Sequence, residues 1–211
     1  DDLKVILSGE GGDEMFAGYG RYRRALRSRL FGGRRPWRQG IFDGLDVLRG
    51  DATATTAWRT GIAAAEAGEA APVRTPLQQA QAVDCAAWLP NDLLTKLDRC
   101  LMANGVEGRV PFLDPLVADF AVTLPDRLKV RRRLGKWLLR RWLETGLPAA
   151  RPFARKQGFT VPVGAWMAGR GRQIGPLVAA QPGVAEACRP EAVERLFAGA
   201  GDRAQKAAWT L

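Results

Sequence analysis

A short glycine-rich segment near the start of the chain carries the residues best suited to chemistry. It reads Ser8-Gly9-Glu10-Gly11-Gly12-Asp13-Glu14 and places three carboxylates around one predicted helix start. Glycines let a ligand approach the main chain, and free amides at a helix start favour phosphate. Carboxylates alone would repel phosphate, but Mg²⁺ is commonly held by one or two carboxylates together with substrate phosphates. The segment therefore predicts a magnesium–phosphate site, and a capped helix with solvated acids stays open as the alternative.

The elements on either side of this loop are those of a ligand-binding α/β turn. Residues 3–7 form a short apolar run, partly β-branched, which predicts a buried strand. A helical pattern begins at Asp13. Strand, loop and helix in this order bind ligands at the strand ends of open α/β sheets. The loop is not a Walker loop, because no Gly-Lys-Ser/Thr follows, and Glu14 stands where a dinucleotide fingerprint needs a small residue.

The rest of the chain predicts helices rather than strands. Helical patterns cover 55–69, 75–88, a helix after Pro90 capped by Asn91, then 116–124, 135–143, 162–168, 190–198 and 203–211. In the helix after Pro90, four leucines form an apolar stripe and Asp98 lies at its edge. An acid in that position either lines a cleft or forms half of a structural ion pair. One strand with many helices is typical of the rim of an α/β domain.

Composition excludes several kinds of site. The 211 residues contain no histidine, which excludes Ser-His-Asp and Cys-His catalysis and histidine metal ligation. The three cysteines match no metal or redox spacing and predict reduced thiols in a cytoplasmic protein. No apolar run reaches the roughly 20 residues that span a bilayer. The chain opens on Asp1 rather than methionine or a basic signal region, and we expect it to be a piece of a longer protein.

The positive charge is concentrated in one segment. The formal net charge is +10, and residues 127–156 hold eleven basic residues against one acid, Glu144. Such a segment attracts nucleotide phosphates, pyrophosphate, nucleic acid or anionic lipid, or it forms a solvated face. No nucleic-acid-binding motif accompanies it. A nucleic-acid-binding module that uses 127–156 is therefore disfavoured but remains the alternative from another functional class.

Five motifs, in order, resemble those of the glutamine-hydrolysing asparagine synthetases. They are Leu7–Tyr19, Trp88–Arg99 followed by Met102-Ala103, Val106–Asp114, Gly135–Arg140 and Arg155–Phe159. The resemblance covers about residues 3–170. β-Lactam synthetases share much of this architecture, so a β-lactam synthetase-like or other amide-forming ligase of the same fold stays open.

The resemblance implies an α/β parent fold of the adenine nucleotide α-hydrolase-like, pyrophosphatase-loop type. Residues 1–211 would be the C-terminal portion of its ATP-dependent synthetase domain, mostly helical with one N-terminal strand of the parallel sheet. The implied enzyme is a cytoplasmic ligase of asparagine biosynthesis that adenylates the aspartate side chain with ATP and Mg²⁺ and then adds glutamine-derived ammonia. The glutaminase domain and a second nucleotide loop, Ser-Gly-Gly-x-Asp-Ser, are absent from these residues. We therefore expect this segment alone to be inactive; whether the enzyme is a homodimer stays open.

The resemblance also assigns site residues by position. It implies Glu10 and Lys156 as catalytic residues, Asp13 as the magnesium ligand, Ser8 and Gly9 as nucleotide contacts, and Asp98 and Lys136 on the pyrophosphate side. Membrane association is not expected. For Glu107, Arg109 and Asp114 we expect structural ion pairing around the turn at Pro111.

Overall fold

The structure is a computed structural model that describes residues 3–28, 30, 40–50, 57–154, 162–199 and 201–211. The chain divides into two compact units, Asp1–Trp37 with Ala63–Arg155, and Arg38–Ile62 with Lys156–Leu211. Within the described ranges, no helix has the length and apolar character needed to cross a membrane.

Helices dominate the described residues, as the sequence predicts. In chain order the α-helices are α1 (Gly12–Met15), α2 (Gly20–Ala25), α3 (Ala57–Gly68), α4 (Pro76–Val83), α5 (Thr95–Met102), α6 (Pro115–Thr123), α7 (Asp126–Lys129), α8 (Trp137–Gly146), α9 (Val163–Ala168), α10 (Gly171–Ala179), α11 (Pro182–Ala187), α12 (Pro190–Ala198) and α13 (Asp202–Thr210). A π-helical segment, Asp84–Leu94, joins α4 to α5, and 3₁₀ turns cover Pro111–Leu113 and Pro148–Ala150.

A small parallel sheet carries the glycine-rich loop. Strand β1 (Val5–Leu7) pairs in parallel with β2 (Glu107–Arg109), with Ile6 opposite Gly108. The prediction of a single strand was wrong, because the Glu-Gly-Arg sequence of β2 has no apolar pattern that marks a strand. The expectation that β1 is buried was also wrong: its side chains are exposed, and in the sheet of the described residues its one neighbouring strand is β2.

The longest helical stretch runs without a break from α4 through the π-helical segment into α5. Thr75 starts it with a capping box, in which the Thr75 hydroxyl accepts from the Gln78 amide and the Gln78 side chain accepts from the Thr75 amide. The prediction that a new helix begins at Asn91 was wrong. Pro90 lies inside the π-helical segment, where the wider turn accommodates a residue that would break a regular α-helix.

Two apolar clusters hold the first unit together. Phe16 is buried in one of them and contacts Phe112 edge-on, with ring centroids 5.9 Å apart. Ala17, the next residue, is fully buried in the other cluster with Tyr22 and Leu77. Consecutive residues at the end of α1 therefore enter different clusters, which fixes this short helix and the loop before it.

The second unit has its own helical core. Helices α10 and α12 pack closely because Gly171 has no side chain, and a Cβ there would overlap the Phe197 carbonyl. Val193 and Met167 are buried in the same core. Of the predicted site residues only Lys156 belongs to this unit, and it lies outside the described residues.

Candidate active site

The glycine-rich loop follows β1 directly and packs against the turn after β2. The Ser8 amide donates to the Arg109 carbonyl at 2.8 Å, which extends the parallel pairing into the loop. Gly11 has a φ of +84°, a backbone conformation that favours glycine, and a Cβ there would overlap the Leu113 side chain. The Val-Pro-Phe-Leu segment after β2 therefore holds the loop in place. The Ser8 amide is engaged in this hydrogen bond with Arg109, so the hydroxyl is the group of Ser8 that can bind a ligand.

The open side of the loop lies at Gly9 and Glu10. Gly9 is exposed, and no atom lies within 4 Å of where its Cβ would be. Glu10 is half-buried and forms no hydrogen bond or ion pair within the described part of the chain. A ligand can therefore reach the main chain at Gly9 and the carboxylate of Glu10 together.

Asp13 meets a lysine from a distant part of the sequence. The Lys136 Nζ lies 2.9 Å from the Asp13 Oδ1, and both side chains are about three-quarters buried. The resemblance implied a metal ligand and a phosphate contact at these two positions, and the structure brings them into direct contact. A carboxylate and an ammonium group beside an open glycine loop are suited to a phosphorylated ligand with a cation.

Two glycines make this contact possible. The Lys136 amide donates to the Phe16 carbonyl at 2.9 Å, and a Cβ on the preceding Gly135 would overlap the Ala17 carbonyl. A Cβ on Gly18 would overlap the Asp13 Oδ1 and lie 2.6 Å from the Lys136 Cε. Both glycines lie inside motifs that carry the family resemblance, Leu7–Tyr19 and Gly135–Arg140, but the sequence predicted no role for either.

Of the other predicted site residues, Asp98 makes no contact with the loop that the structure shows, and Lys156 lies outside the described residues. Asp98 is exposed on α5 and forms no hydrogen bond or ion pair with any other described residue. Its helix packs on β2, where a Cβ at Gly108 would lie 2.6 Å from the Leu101 Cδ1.

Of the three charged residues around the turn at Pro111, two form an ion pair and the third caps a helix. Glu107 and Arg109 form the expected ion pair, with an N–O distance of 2.8 Å, on the surface of β2. Asp114 instead caps α6, where its Oδ1 accepts from the Leu116 amide at 2.9 Å.

Glu14 turns away from the loop. Its side chain is fully buried, and its Oε1 accepts from the Tyr19 hydroxyl at 2.7 Å. Burial raises the pKa of Glu14 above its ordinary value of 4.5, although the hydrogen bond from Tyr19 opposes the change. Only two of the three carboxylates of the loop therefore face a ligand.

The burial of Glu14 predicts a pH dependence of stability. A carboxyl group whose pKa is higher in the folded state stabilises the fold most below the unfolded pKa of about 4.5. That contribution is lost as the pH rises through the folded pKa. We expect Glu14→Gln to remove this pH-dependent contribution. In urea unfolding between pH 4.5 and 8, the free energy of unfolding of the variant should therefore increase relative to that of the parent protein as the pH rises. Parallel curves of unfolding free energy against pH for Glu14→Gln and the parent protein would contradict this account.

A buried ion pair ties the helix after the loop to the π-helical segment. The Arg21 Nε donates to the Asp84 Oδ2 at 2.7 Å, and Asp84 is 1% exposed. The Arg21 guanidinium also lies over the rings of Tyr19 and Trp88, 4.2 and 5.6 Å from their centroids. Burial raises the pKa of Asp84, and the bond from Arg21 opposes that rise. This network supports Tyr19 and, through it, Glu14.

The loop can hold a divalent cation only if a bound ligand supplies further oxygen atoms to the metal. Within the described ranges, no group of three or more acidic or cysteine side chains is placed to hold a metal ion. Asp13 already has a cation, the Lys136 ammonium, at its carboxylate. One carboxylate suffices for Mg²⁺ that arrives with phosphate oxygens.

Comparisons with known proteins agree with the sequence motifs. The family model described as asparagine synthase matches residues 1–211. A Mycobacterium tuberculosis protein provisionally named asparagine synthetase (glutamine-hydrolyzing) is 34% identical over 200 residues, which cover 78% of this chain and 31% of the relative. Asparagine synthetase (glutamine-hydrolyzing) 1 of Bacillus subtilis is 41% identical over 91 residues, 43% of this chain and 14% of the relative. No solved structure matches the chain.

These comparisons show which family the chain belongs to and how much of each relative it covers. The chain spans about a third or less of the length of these two relatives. The family model, in contrast, matches the whole chain and therefore includes both the glycine-rich loop and the Asp13–Lys136 pair. The chain belongs to the asparagine synthase family.

Proposed function

We propose that the chain is the C-terminal part of the ATP-dependent synthetase domain of a glutamine-hydrolysing asparagine synthetase. The match of the asparagine synthase model to residues 1–211 carries this proposal. The meeting of Asp13 and Lys136 beside the open Gly9–Glu10 loop supports it physically. The remaining ATP contacts and the ammonia-producing glutaminase domain come from the rest of the full protein, in this proposal.

The proposed reaction has two steps. An oxygen of the aspartate side-chain carboxylate attacks the α-phosphorus of ATP, the bond to the bridging oxygen breaks, and pyrophosphate leaves with that electron pair. Ammonia then adds to the acyl carbon of β-aspartyl-AMP and loses a proton, and the bond from that carbon to the AMP oxygen breaks. The products are asparagine, AMP and pyrophosphate.

The residues of this chain have different roles in the proposed reaction. The Ser8 hydroxyl and the exposed main chain of Gly9 bind the nucleotide. The half-buried Glu10 carboxylate, which has no protein partner among the described residues, is suited to accept the proton that ammonia releases. Lys136 and Lys156 stabilise the negative charge that builds on the departing pyrophosphate. Asp98 is also proposed to lie on the pyrophosphate side. The structure gives this residue the weakest support, because its side chain is exposed.

Magnesium has one proposed ligand in this chain. Asp13 would hold Mg²⁺ that arrives with ATP, and the ion would neutralise phosphate charge when bound. We expect Asp13→Ala to raise the Mg²⁺ concentration needed for half-maximal ATP–pyrophosphate exchange on the order of tenfold. A magnesium titration of parent and variant checks this, and superimposable curves would remove Asp13 from the metal site.

The nucleic-acid alternative has little support in the structure. Several basic residues of 127–156 are engaged inside the protein rather than presented to solvent. Lys129 is buried and donates to the Gln81 side chain at 3.0 Å, and Arg140 donates to the Gly135 carbonyl at 2.9 Å. Lys136 pairs with Asp13. The segment is therefore not one continuous cationic face.

Substrate-dependent exchange of labelled pyrophosphate into ATP tests the proposed function. With the full-length protein, we expect exchange that requires aspartate and Mg²⁺. Exchange with another carboxylic acid and none with aspartate would instead indicate a β-lactam synthetase-like or other amide-forming ligase. Absence of exchange with every acid, in a folded protein, would contradict the proposal altogether.

Gly18→Ala tests the Asp13–Lys136 pair without removing a charge. The three atoms nearest to the new Cβ belong to the Asp13 and Lys136 side chains, which must move to make room for it. Because this pair keeps some contact with solvent, we expect it to contribute about 1 kcal/mol or less to stability. Unfolding should therefore change little, while the exchange rate should clearly fall. Gly20→Ala is the matched control, since its nearest neighbour is the Arg23 Nη2 at 3.6 Å. Equal exchange rates for the two variants would show that the pair is not needed.

A further inference from the structure

A two-residue turn just before Lys136 presents arginines in an unfavourable backbone conformation. Arg131 and Leu134 form an antiparallel bridge, with main-chain bonds of 3.0 and 2.8 Å in the two directions. The two residues between them, Arg132 and Arg133, have φ angles of +48° and +66°. Turns with positive φ at both central positions favour Asn and Gly, because a side chain there is strained.

Packing does not account for the choice of arginine. Both side chains are exposed, and neither forms an ion pair or hydrogen bond within the described part of the chain. No acidic residue occurs between positions 127 and 143. Arg131, the residue before them, lies with its guanidinium 5.2 Å from the centroid of the Trp137 ring. The turn therefore presents two uncompensated guanidinium groups beside a third that is held against an aromatic ring.

The turn is anchored to the candidate active site. Lys136, three residues after Arg133, is hydrogen-bonded to Phe16 through its main chain and paired with Asp13 through its side chain. Three residues of chain span at most about 11 Å, and an arginine side chain adds several ångströms of reach. A phosphate chain bound at Lys136 is thus within range of the turn.

We propose that the Arg132–Arg133 turn is a phosphate-binding element that holds the pyrophosphate end of the nucleotide and the pyrophosphate product. Guanidinium groups bind phosphate oxygens through two parallel hydrogen bonds, and two unpaired groups match a dianionic or more highly charged ligand. The ligand class follows from the position beside Lys136, so the inference rests on the proposed function. Backbone strain is retained where a site requires it.

The double variant Arg132→Asn/Arg133→Gly separates ligand binding from folding, because these residues relieve the strain while they remove both charges. In the full-length protein, we expect calorimetric titration with inorganic pyrophosphate to show affinity lower on the order of tenfold. We expect Tm to rise by roughly 2–4 °C at the same time. The control Arg127→Gln/Arg141→Gln removes two exposed helical arginines and should change neither quantity in this way.

Each outcome decides between the inference and the proposed function. A higher Tm with unchanged pyrophosphate affinity would overturn the inference, even if aspartate-dependent exchange is present. Loss of single-stranded oligonucleotide binding, with pyrophosphate affinity intact, would overturn it in favour of nucleic acid. Loss of pyrophosphate affinity in a protein without aspartate-dependent exchange would support the turn as a phosphate element and reject the proposed substrate.

Discussion

Replacing Lys156 by alanine is expected to slow aspartate-dependent ATP–pyrophosphate exchange by about 10²–10³-fold while the protein stays folded. Attack on the α-phosphorus builds negative charge on the departing pyrophosphate. A positioned cation stabilises that charge more in the transition state than in bound ATP, and the loss of one such group costs about 2.7–4 kcal/mol. Initial exchange rates at saturating ATP, aspartate and Mg²⁺ measure the effect.

The matched control for Lys156→Ala is Lys96→Ala, which replaces an exposed lysine on α5. It should retain the parent rate, because it removes the same charge at a place with no proposed ligand. Lys156→Arg should recover part of the activity, since it restores a cation with a different shape. Unchanged exchange in folded Lys156→Ala would remove this lysine from the catalytic site.

The second large effect concerns stability. We expect Asp84→Ala to lower the free energy of unfolding by about 3–5 kcal/mol, because it leaves the Arg21 guanidinium partly buried without its carboxylate partner. The loss should also loosen Tyr19 and the loop helix, since Arg21 lies over the Tyr19 ring. Urea unfolding of parent and variant, with equal m-values, gives the difference.

A double variant distinguishes loss of the pair from loss of packing. Arg21→Met/Asp84→Leu removes both charges and fills similar volume, and replacing a buried pair in this way is often close to neutral. We therefore expect it to be more stable than Asp84→Ala alone. A double variant as unstable as the sum of its single changes would show that the two residues act independently.

The sequence predicted the helical elements well where apolar spacing and caps agree. Helices α12 and α13 follow their expected ranges closely. The exceptions have physical causes. Strand β2 has the composition of a turn and is a strand only because β1 offers it a partner. Pro90 signals a helix boundary locally, yet the π-helical segment carries it within one continuous stretch.

The loop motif predicted part of the candidate site. The motif identified Ser8, Gly9, Glu10 and Asp13, which lie together because they are adjacent in the chain. It could not show that Lys136 reaches Asp13 from 123 residues away, because that contact depends on the absence of side chains at Gly18 and Gly135. Nor could spacing alone show that Glu14 is buried against Tyr19 while Asp13, its neighbour, faces the site.

The most direct test of the account is a crystal structure of the full-length protein with Mg²⁺ and a non-hydrolysable ATP analogue. We predict that the triphosphate lies over Gly9, with the Lys136 and Lys156 ammonium groups at hydrogen-bonding distance, about 3 Å, from its phosphate oxygens. A nucleotide bound elsewhere, with Glu10 and the two lysines facing no common ligand, would contradict the central claim.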